Sequence, residues 1–208
     1  MYITHPVSSQ NRGREKLNCT ECSSFLVCRS LGECGAYGFD KPSVTAEYRE
    51  KDIQSVIQAA SRLVDSGRGG TLNRLQEIIE YSLDRKFRRI GLAYCWSMDE
   101  EAAVIAGLIR DAGLQVSAVS CTVGGVAQDE TNSESRIHKV ACNPLGQAAQ
   151  LNAEGVDLVV AVGLCLGHDM LLAGRADAPT TTLVVKDRTS GHAPLVAIRE
   201  MAKEKVLV

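Results

Sequence analysis

A short apolar segment, residues 158–162, most constrains how this chain folds. Its sequence, Leu-Val-Val-Ala-Val, is too short for a free-standing helix, is rich in valine and is followed by turn residues. This pattern is typical of a parallel strand buried on both faces. Cys165 lies just beyond it, between Gly163 and Gly167. Because ligands bind at the carboxyl ends of the strands in open α/β sheets, we expect Cys165 and the two glycines to line a ligand site.

Two earlier segments have the same pattern, because each is a short apolar segment that ends at a cysteine. They are residues 89–95, ending at Cys95, and residues 115–121, ending at Cys121. A fourth strand is predicted over residues 180–186, and helical patterns connect the strands. Right-handed connections of this kind join parallel strands. The sequence therefore predicts an α/β fold, with a doubly wound, mostly parallel sheet of four to five strands that is Rossmann-like or flavodoxin-like.

The sequence predicts three segments, of which the last contains this sheet. Residues 1–41 are predicted to hold a flexible tail and a Cys-rich metal-binding module, residues 42–87 a helical hairpin, and residues 88–208 the α/β sheet domain. The hairpin helices, 53–64 and about 71–85, each carry an apolar stripe. We expect the hairpin to cover one face of the sheet or to join the cysteine module to it.

Two further helices carry specific predictions. Ser97 and Glu100 form a capping-box pattern at the start of the helix that follows Cys95. The final helix, from about residue 194 to 203, is expected to pack through three apolar side chains, Leu195, Ile198 and Met201.

Four cysteines lie close together near the N-terminus with the spacing C-x2-C-x5-C-x5-C. They are Cys19, Cys22, Cys28 and Cys34. A metal ion supplies the ordering free energy that so short and polar a segment lacks, so this spacing predicts metal ligation. Tetrahedral zinc and an iron–sulfur cluster both accept four thiolates, and the spacing does not choose between them. Unliganded or regulatory thiols are the alternative interpretation.

A second group of thiols is predicted at the carboxyl edge of the sheet. In flavodoxin-like strand order Cys95 and Cys165 flank the switch point, and Cys121 ends the neighbouring strand. Cys142 precedes an Asn143-Pro144 helix start, where the helix field lowers a thiol pKa. Any one of these cysteines alone is typical of a small core residue. Together they predict a shared site that ligates a metal, either a 4Fe–4S cluster or zinc.

Catalytic residues are not fixed by these patterns. The candidates are Cys142, Cys165, His168 and His192. Each histidine is a metal ligand or an acid–base group on one interpretation and a turn residue bonded to the backbone on the other. Some twenty residues separate Cys121 from Cys142, and connections of this length are often lids or binding loops, although a disordered insertion without function is the alternative.

Composition excludes several partners. The formal net charge is −2, which does not favour nucleic acid or an anionic membrane surface, and no segment is long and apolar enough for a membrane helix. Eight cysteines without an apparent leader segment predict a cytoplasmic protein that uses its thiols for metal or redox chemistry. The predicted partners are a small-molecule ligand or a redox partner protein, and a homo-oligomer stays open.

Several segments also resemble a known family, the domain of unknown function 1847 family. They are Ile90 to Cys95, Val123 to Gly125, Cys142 to Pro144, Val162 to Asp169 and Thr182 to Arg188. The resemblance covers almost the whole chain and implies an uncharacterised metal-binding protein, without implying a reaction. Gly35 follows Cys34, where this family often has proline.

Four functions stay open on the sequence alone. The first is an iron–sulfur protein, an enzyme included, and the second is a zinc or metal-sensing module without chemistry. The third is a thiol oxidoreductase, for which Cys19 and Cys22 form the C-x-x-C. The fourth is nucleotide binding at Gly163 and Gly167, although neither a dinucleotide nor a P-loop fingerprint is present.

Overall fold

The computed structural model describes residues 18–21, 25–32 and 38–206. The chain divides into two compact units, residues 1–57 and 58–208. The first unit contains a 3-10 turn at Cys19–Glu21, helix α1 at Phe25–Arg29 and helix α2 at Lys41–Glu47. Asp40 caps α2 by accepting the Ser43 N–H. Helix α3, Lys51–Val64, crosses from the first unit into the second.

The second unit contains the sheet. Its strands are β1 (Arg89–Tyr94), β2 (Gln115–Ser120), β3 (Leu158–Val162) and β4 (Thr180–Val184). All pairings are parallel, and the order is β2-β1-β3-β4. The predicted doubly wound, flavodoxin-like fold is therefore confirmed. Every residue of β3 is buried, as expected for a central strand with helices on both faces.

Four helices cover the two faces of this sheet, namely α4 (Arg74–Asp84), α5 (Asp99–Asp111), α7 (Pro144–Ala153) and α8 (His168–Ala173). Two further helices, α6 (Gln128–Thr131) and α9 (Pro194–Val206), contribute no residue to the buried clusters. On one face Ile78 of α4 and Ile105 of α5 pack in a buried cluster with Val160 of β3. On the other face Leu151 of α7 and Leu172 of α8 share a cluster with the neighbouring β3 residues. No helix in the described part of the chain has the length and apolar character needed to cross a membrane.

The two helices of the predicted hairpin differ in how far their apolar stripes are buried. Leu75 and Ile79 of α4 pack against the buried cluster, as their apolar stripe predicts. In α3, Val56, Ile57 and Val64 of the predicted stripe are 44%, 41% and 51% exposed, whereas Ala59 is fully buried. Within the second unit, Arg62 of α3 forms a bidentate ion pair with an α4 carboxylate.

Two helix predictions are wrong. Ser97 does not cap a helix, because a 3-10 turn at Trp96–Met98 comes first and α5 begins at Asp99 without a side-chain cap. The Ser97 hydroxyl instead contacts Cys95. The final helix does not pack through its apolar residues, since Leu195, Ile198 and Met201 are 56–60% exposed. Neither buried cluster includes a residue of α9, because α4, α5, α7 and α8 already cover the sheet.

The long connection after Cys121 has local structure. A 3-10 turn occupies Val123–Gly125, and α6 follows. An isolated antiparallel bridge pairs Ala127 with Val140, and the Ala141 N–H donates to the Val126 carbonyl at 2.8 Å. The two ends of the connection are therefore tied together, and Cys142 returns to the sheet edge that Cys121 left.

Candidate thiolate site at the sheet edge

Cys95 and Cys121 are the first residues beyond β1 and β2. The Cys95 N–H donates to the Val162 carbonyl at 3.0 Å, and the Cys121 N–H donates to the Tyr94 carbonyl at 2.9 Å. The sheet ladder therefore continues through both cysteines and fixes their backbones. Both thiols are buried, with 3% and 2% exposure, in the cluster beneath α7 and α8.

Cys142 reaches the same edge through the start of α7. The Asn143 N–H donates to the Cys121 carbonyl at 2.6 Å, which holds the two segments side by side. The Asn143 side chain accepts the Gly146 N–H as the predicted N-cap and donates to the Val123 carbonyl. Cys142 is half-buried, and it precedes the ten-residue helix α7.

Cys165 lies in the turn between β3 and α8. Gly163 and Gly167, at its ends, both have positive φ, which glycine adopts without steric cost. The Cys165 carbonyl accepts the N–H groups of His168 and Asp169, so the turn folds around this cysteine. The thiol is half-buried, and the following residue, Leu166, is 88% exposed.

Two of the sulfurs are in direct contact. Cys142 Sγ lies 3.5 Å from Cys121 Sγ, and the Trp96 N–H points to Cys121 Sγ at 3.4 Å. Burial raises the pKa of Cys121 to about 12, and the neighbouring Cys142 and Cys95 thiols add to the rise, while the Trp96 N–H opposes it. Without a metal, the Cys121 thiol is protonated at neutral pH.

The other two sulfurs have cationic partners. Lys186 Nζ lies 3.2 Å from Cys95 Sγ and 2.8 Å from the Ser97 hydroxyl, which itself lies 3.3 Å from the same sulfur. Burial acts to raise the pKa of Cys95. Hydrogen bonds from the Ser97 hydroxyl and backbone and from Lys186 outweigh burial, so this pKa lies below its ordinary value.

Arg188 brings a second positive charge to the edge. Its Nη2 lies 3.3 Å from Cys165 Sγ. That hydrogen bond is the main cause of a raised Arg188 pKa, and the charges of Cys165, Cys95 and Cys142 act in the same direction. The guanidinium therefore lies within electrostatic range of three of the four sulfurs.

Internal hydrogen bonds stabilise the loop that carries Lys186 and Arg188. The Asp187 carboxylate accepts hydrogen bonds from the Thr189 and Ser190 hydroxyls at 2.7 Å, and these bonds lower its pKa to about 2. His192 has a φ of 67°, and its Nδ1 accepts the Asp187 N–H at 3.1 Å. This geometry matches the turn interpretation of His192, while the half-buried His168 begins α8.

The cysteines of the first unit are only partly described. Cys19 and Cys28 are exposed, whereas Cys22 and Cys34 lie outside the described residues, so the predicted four-cysteine module stays a prediction. Across 18–21, 25–32 and 38–206, no group of three or more histidine, cysteine or acidic residues is arranged to hold a single metal ion.

Sequence reasoning missed the residues that surround the thiols. Lys186 ends the predicted fourth strand and Arg188 follows it, so their position at the carboxyl end of a parallel strand was the signal that could have placed them in the site. Ser97 carried no such signal, because its spacing to Glu100 also fits a helix cap. Gln147 was missed because a polar residue in the first turn of a helix usually faces solvent.

Gln147 cross-links the floor of the site. It is fully buried, and its Nε2 donates to the carbonyls of Val119 at 2.8 Å and Tyr94 at 3.1 Å. Its Oε1 is buried and has no partner among the described residues. The side chain thus attaches α7 to the ends of β1 and β2, directly beneath the cysteines.

The Gln147→Met variant is expected to lower the free energy of unfolding by about 1–3 kcal/mol, because a buried backbone carbonyl loses its donor. Urea denaturation followed by circular dichroism measures the change. Gln150→Met on the same helix is the matched control, since Gln150 is exposed and its side chain bonds the half-buried Glu154 carboxylate at the end of the helix. The control should leave stability nearly unchanged. Equal stability of the two variants would show that the Gln147 cross-link does not support the site.

A polar cavity of about 390 Å³ lies beside β2. It is lined by Ser117, Ser120, Thr122, Gln150 and Glu154, together with three apolar residues, Ala118, Val119 and Val123. None of the four thiols lines it. The cavity and the thiolate site are therefore distinct features of the second unit.

Comparisons with known proteins bear on the family resemblance described above. A protein of Methanocaldococcus jannaschii, named only as uncharacterised, is 33% identical over 180 residues, which are 85% of this chain and 90% of that protein. No solved structure matches the chain. A family model described as protein of unknown function, DUF1847, matches residues 39–183, which include the four sheet-edge cysteines. Since this match spans well over half of its length, the chain belongs to the DUF1847 family.

Proposed function

We propose that Cys95, Cys121, Cys142 and Cys165 bind a metal centre through their thiolates, and that this centre is an iron–sulfur cluster. One observation carries the proposal. Four segments distant in sequence bring these cysteines to one edge of the sheet, where Lys186 and Arg188 donate to two of the sulfurs. Thiolate sulfur is the ligand that zinc and iron–sulfur clusters prefer among protein side chains.

The lack of a third ligand beside the Cys121–Cys142 pair among the described residues, rather than the sulfur spacing, favours a cluster over a single ion. Two thiolates on one tetrahedral ion lie about 3.8 Å apart, since each zinc–sulfur bond is about 2.3 Å long. The Cys121 and Cys142 sulfurs, 3.5 Å apart, are compatible with that spacing. The described residues nevertheless offer no set of three ligands to one ion. A cluster that binds one cysteine on each iron spaces the sulfurs more widely, so Cys121 and Cys142 would separate from their 3.5 Å contact on binding it.

The charges fit the same interpretation. Four thiolates at a largely buried edge require compensating positive charge, which Lys186 and Arg188 supply. Bound there, a cluster would supply electron transfer or a Lewis-acidic iron, with its potential set by the hydrogen bonds to the sulfurs and by solvent exposure. Trp96, Ser97 and the two cations would supply those hydrogen bonds.

A thiol nucleophile is the second candidate function. The observation in its favour is the lowered pKa of Cys95, which has Ser97 and Lys186 as partners. Activated thiols of this kind attack electrophilic substrates. Cys95 is only 3% exposed, however, so a substrate has little access to its sulfur. Because of this burial, we favour a metal centre over a thiol nucleophile as the function of these cysteines. A structural zinc site is the third candidate.

Anaerobic purification followed by reconstitution with iron and sulfide tests the proposal. Broad absorption near about 400 nm and bound sulfide are expected for the full-length protein. Serine at Cys95 together with serine at Cys165 should remove the sheet-edge part of both signals. Full iron and sulfide in that double variant would overturn the proposal, and rapid alkylation of Cys95 in the untreated protein would favour the nucleophile.

The two cysteine groups are expected to be independent sites, since one is local in sequence and the other is assembled by the fold. Serine at Cys19 and Cys22 should remove one site's metal and leave the sheet folded. Metal analysis and circular dichroism on the variant check both points. Loss of all bound metal from this variant would indicate one shared site instead.

A further inference from the structure

We propose that Cys121 and Cys142 form a reversible disulfide when the metal-free protein meets a hydroperoxide. Their sulfurs lie 3.5 Å apart, and an S–S bond is about 2.0 Å long, so about 1.5 Å of approach closes the bond. The hydrogen bond from the Asn143 N–H to the Cys121 carbonyl already holds the two backbone segments together. Side-chain rotation therefore supplies most of the movement.

The two cysteines differ in access. Cys142 is half-buried and directly precedes the Asn143 cap of α7. Cys121 is 2% exposed and lies behind it. An oxidant therefore reaches Cys142 first, and Cys121 is placed to resolve the oxidised sulfur. Cys95 and Cys165 are held by Lys186 and Arg188 instead.

The chemistry balances with a hydroperoxide as the oxidant. The Cys142 sulfur attacks the terminal hydroxyl oxygen, an S–O bond forms and the O–O bond breaks. The group that leaves, hydroxide from hydrogen peroxide or alkoxide from an organic hydroperoxide, takes up the thiol proton. The Cys121 sulfur then attacks the Cys142 sulfur, an S–S bond forms and the S–O bond breaks. Water leaves with the Cys121 proton. Two thiols are oxidised by two electrons, and the hydroperoxide is reduced to water and an alcohol, or to two waters.

This disulfide goes beyond the proposed metal site and does not depend on it, because it forms in protein without metal. One consequence does rest on the proposed function. A disulfide removes two of the four thiolates, so oxidation of the pair and metal loading exclude each other. The oxidation state of Cys121 and Cys142 would then decide whether the edge holds metal.

Peptide mapping of the oxidised full-length protein tests the pair. Metal-free, reduced protein is treated with hydrogen peroxide, remaining thiols are alkylated in denaturant, and the chain is digested without reduction. A glutamate-specific protease suits the sequence, because it cuts at Glu130 and Glu154 and so separates Cys121, Cys142 and Cys165. A peptide pair joined through Cys121 and Cys142, and released by a dithiol, is the expected result.

Two serine variants test which cysteines form the disulfide. Cys142→Ser should abolish the linked peptides, whereas Cys165→Ser should retain them. Conversion of Cys142 to sulfinic acid in wild-type protein while Cys121 stays alkylatable would overturn the inference, and so would a link from Cys142 to Cys165. The wild-type map does not depend on the folding of any variant. Metal content is measured separately, so an absent disulfide and an absent metal site are distinguishable.

Discussion

Alanine at Gly163 is expected to lower the free energy of unfolding by about 3 kcal/mol, from two separate costs. Gly163 has a φ of 60°, and a left-handed conformation costs a residue with a Cβ about 1–2 kcal/mol. The added Cβ would also lie 2.0 Å from Met98 Sδ. Met98 is 5% exposed within the cluster that joins α5 to the sheet, so its displacement costs about 1–3 kcal/mol more.

Gly155 is the matched control. Its φ is also 60°, but no atom lies within 4 Å of a Cβ built there. Alanine at Gly155 should therefore cost only the backbone term, about 1 kcal/mol. Guanidinium denaturation of both variants gives the difference. Equal losses would show that Met98 moves aside freely and that the turn before Cys165 tolerates a side chain.

Loss of the Lys186 charge is expected to raise the pKa of Cys95. Burial acts to raise this pKa, and the hydrogen bonds from Ser97 and Lys186 together keep it below its ordinary value. Methionine at Lys186 removes the ammonium and leaves the burial. The pH at which Cys95 becomes reactive should therefore rise, and its alkylation rate at neutral pH should fall, at most about tenfold for each unit of the pKa rise.

Iodoacetamide labelling of the metal-free protein over a pH series measures this shift, with the peptide that contains Cys95 quantified by mass spectrometry. Lys203→Met is the control, because Lys203 lies in an exposed ion pair with Glu200 on α9. That variant should retain the wild-type pH profile. An unchanged profile in the Lys186 variant would mean that Ser97 alone sets the reactivity of Cys95.

The sheet was predictable because its strands have a clear local signature. The apolar run of β3 predicts a strand buried on both faces, and strand ends at a switch point predict where Cys95 and Cys165 lie. The Asn143 cap and Pro144 likewise predict the start of α7. These features depend on neighbouring residues, so the sequence carries them directly.

The surroundings of the thiols were less predictable because they depend on tertiary contacts. Lys186 meets Cys95 across 91 residues of sequence, and no local pattern encodes that distance. Ser97 has the spacing of a helix cap, yet its hydroxyl contacts a sulfur instead. The apolar residues of α9 have helical spacing as well, but periodicity does not reveal that other helices already cover the sheet.

The most direct test of the metal site is an iron and sulfide count on protein that lacks the N-terminal cysteines. Full-length protein with serine at Cys19, Cys22, Cys28 and Cys34 is reconstituted anaerobically and freed of unbound iron. The proposal predicts about four irons and matching sulfide per chain for a 4Fe–4S cluster, and their loss when Cys142 is also serine. A folded, colourless protein without bound metal would contradict it.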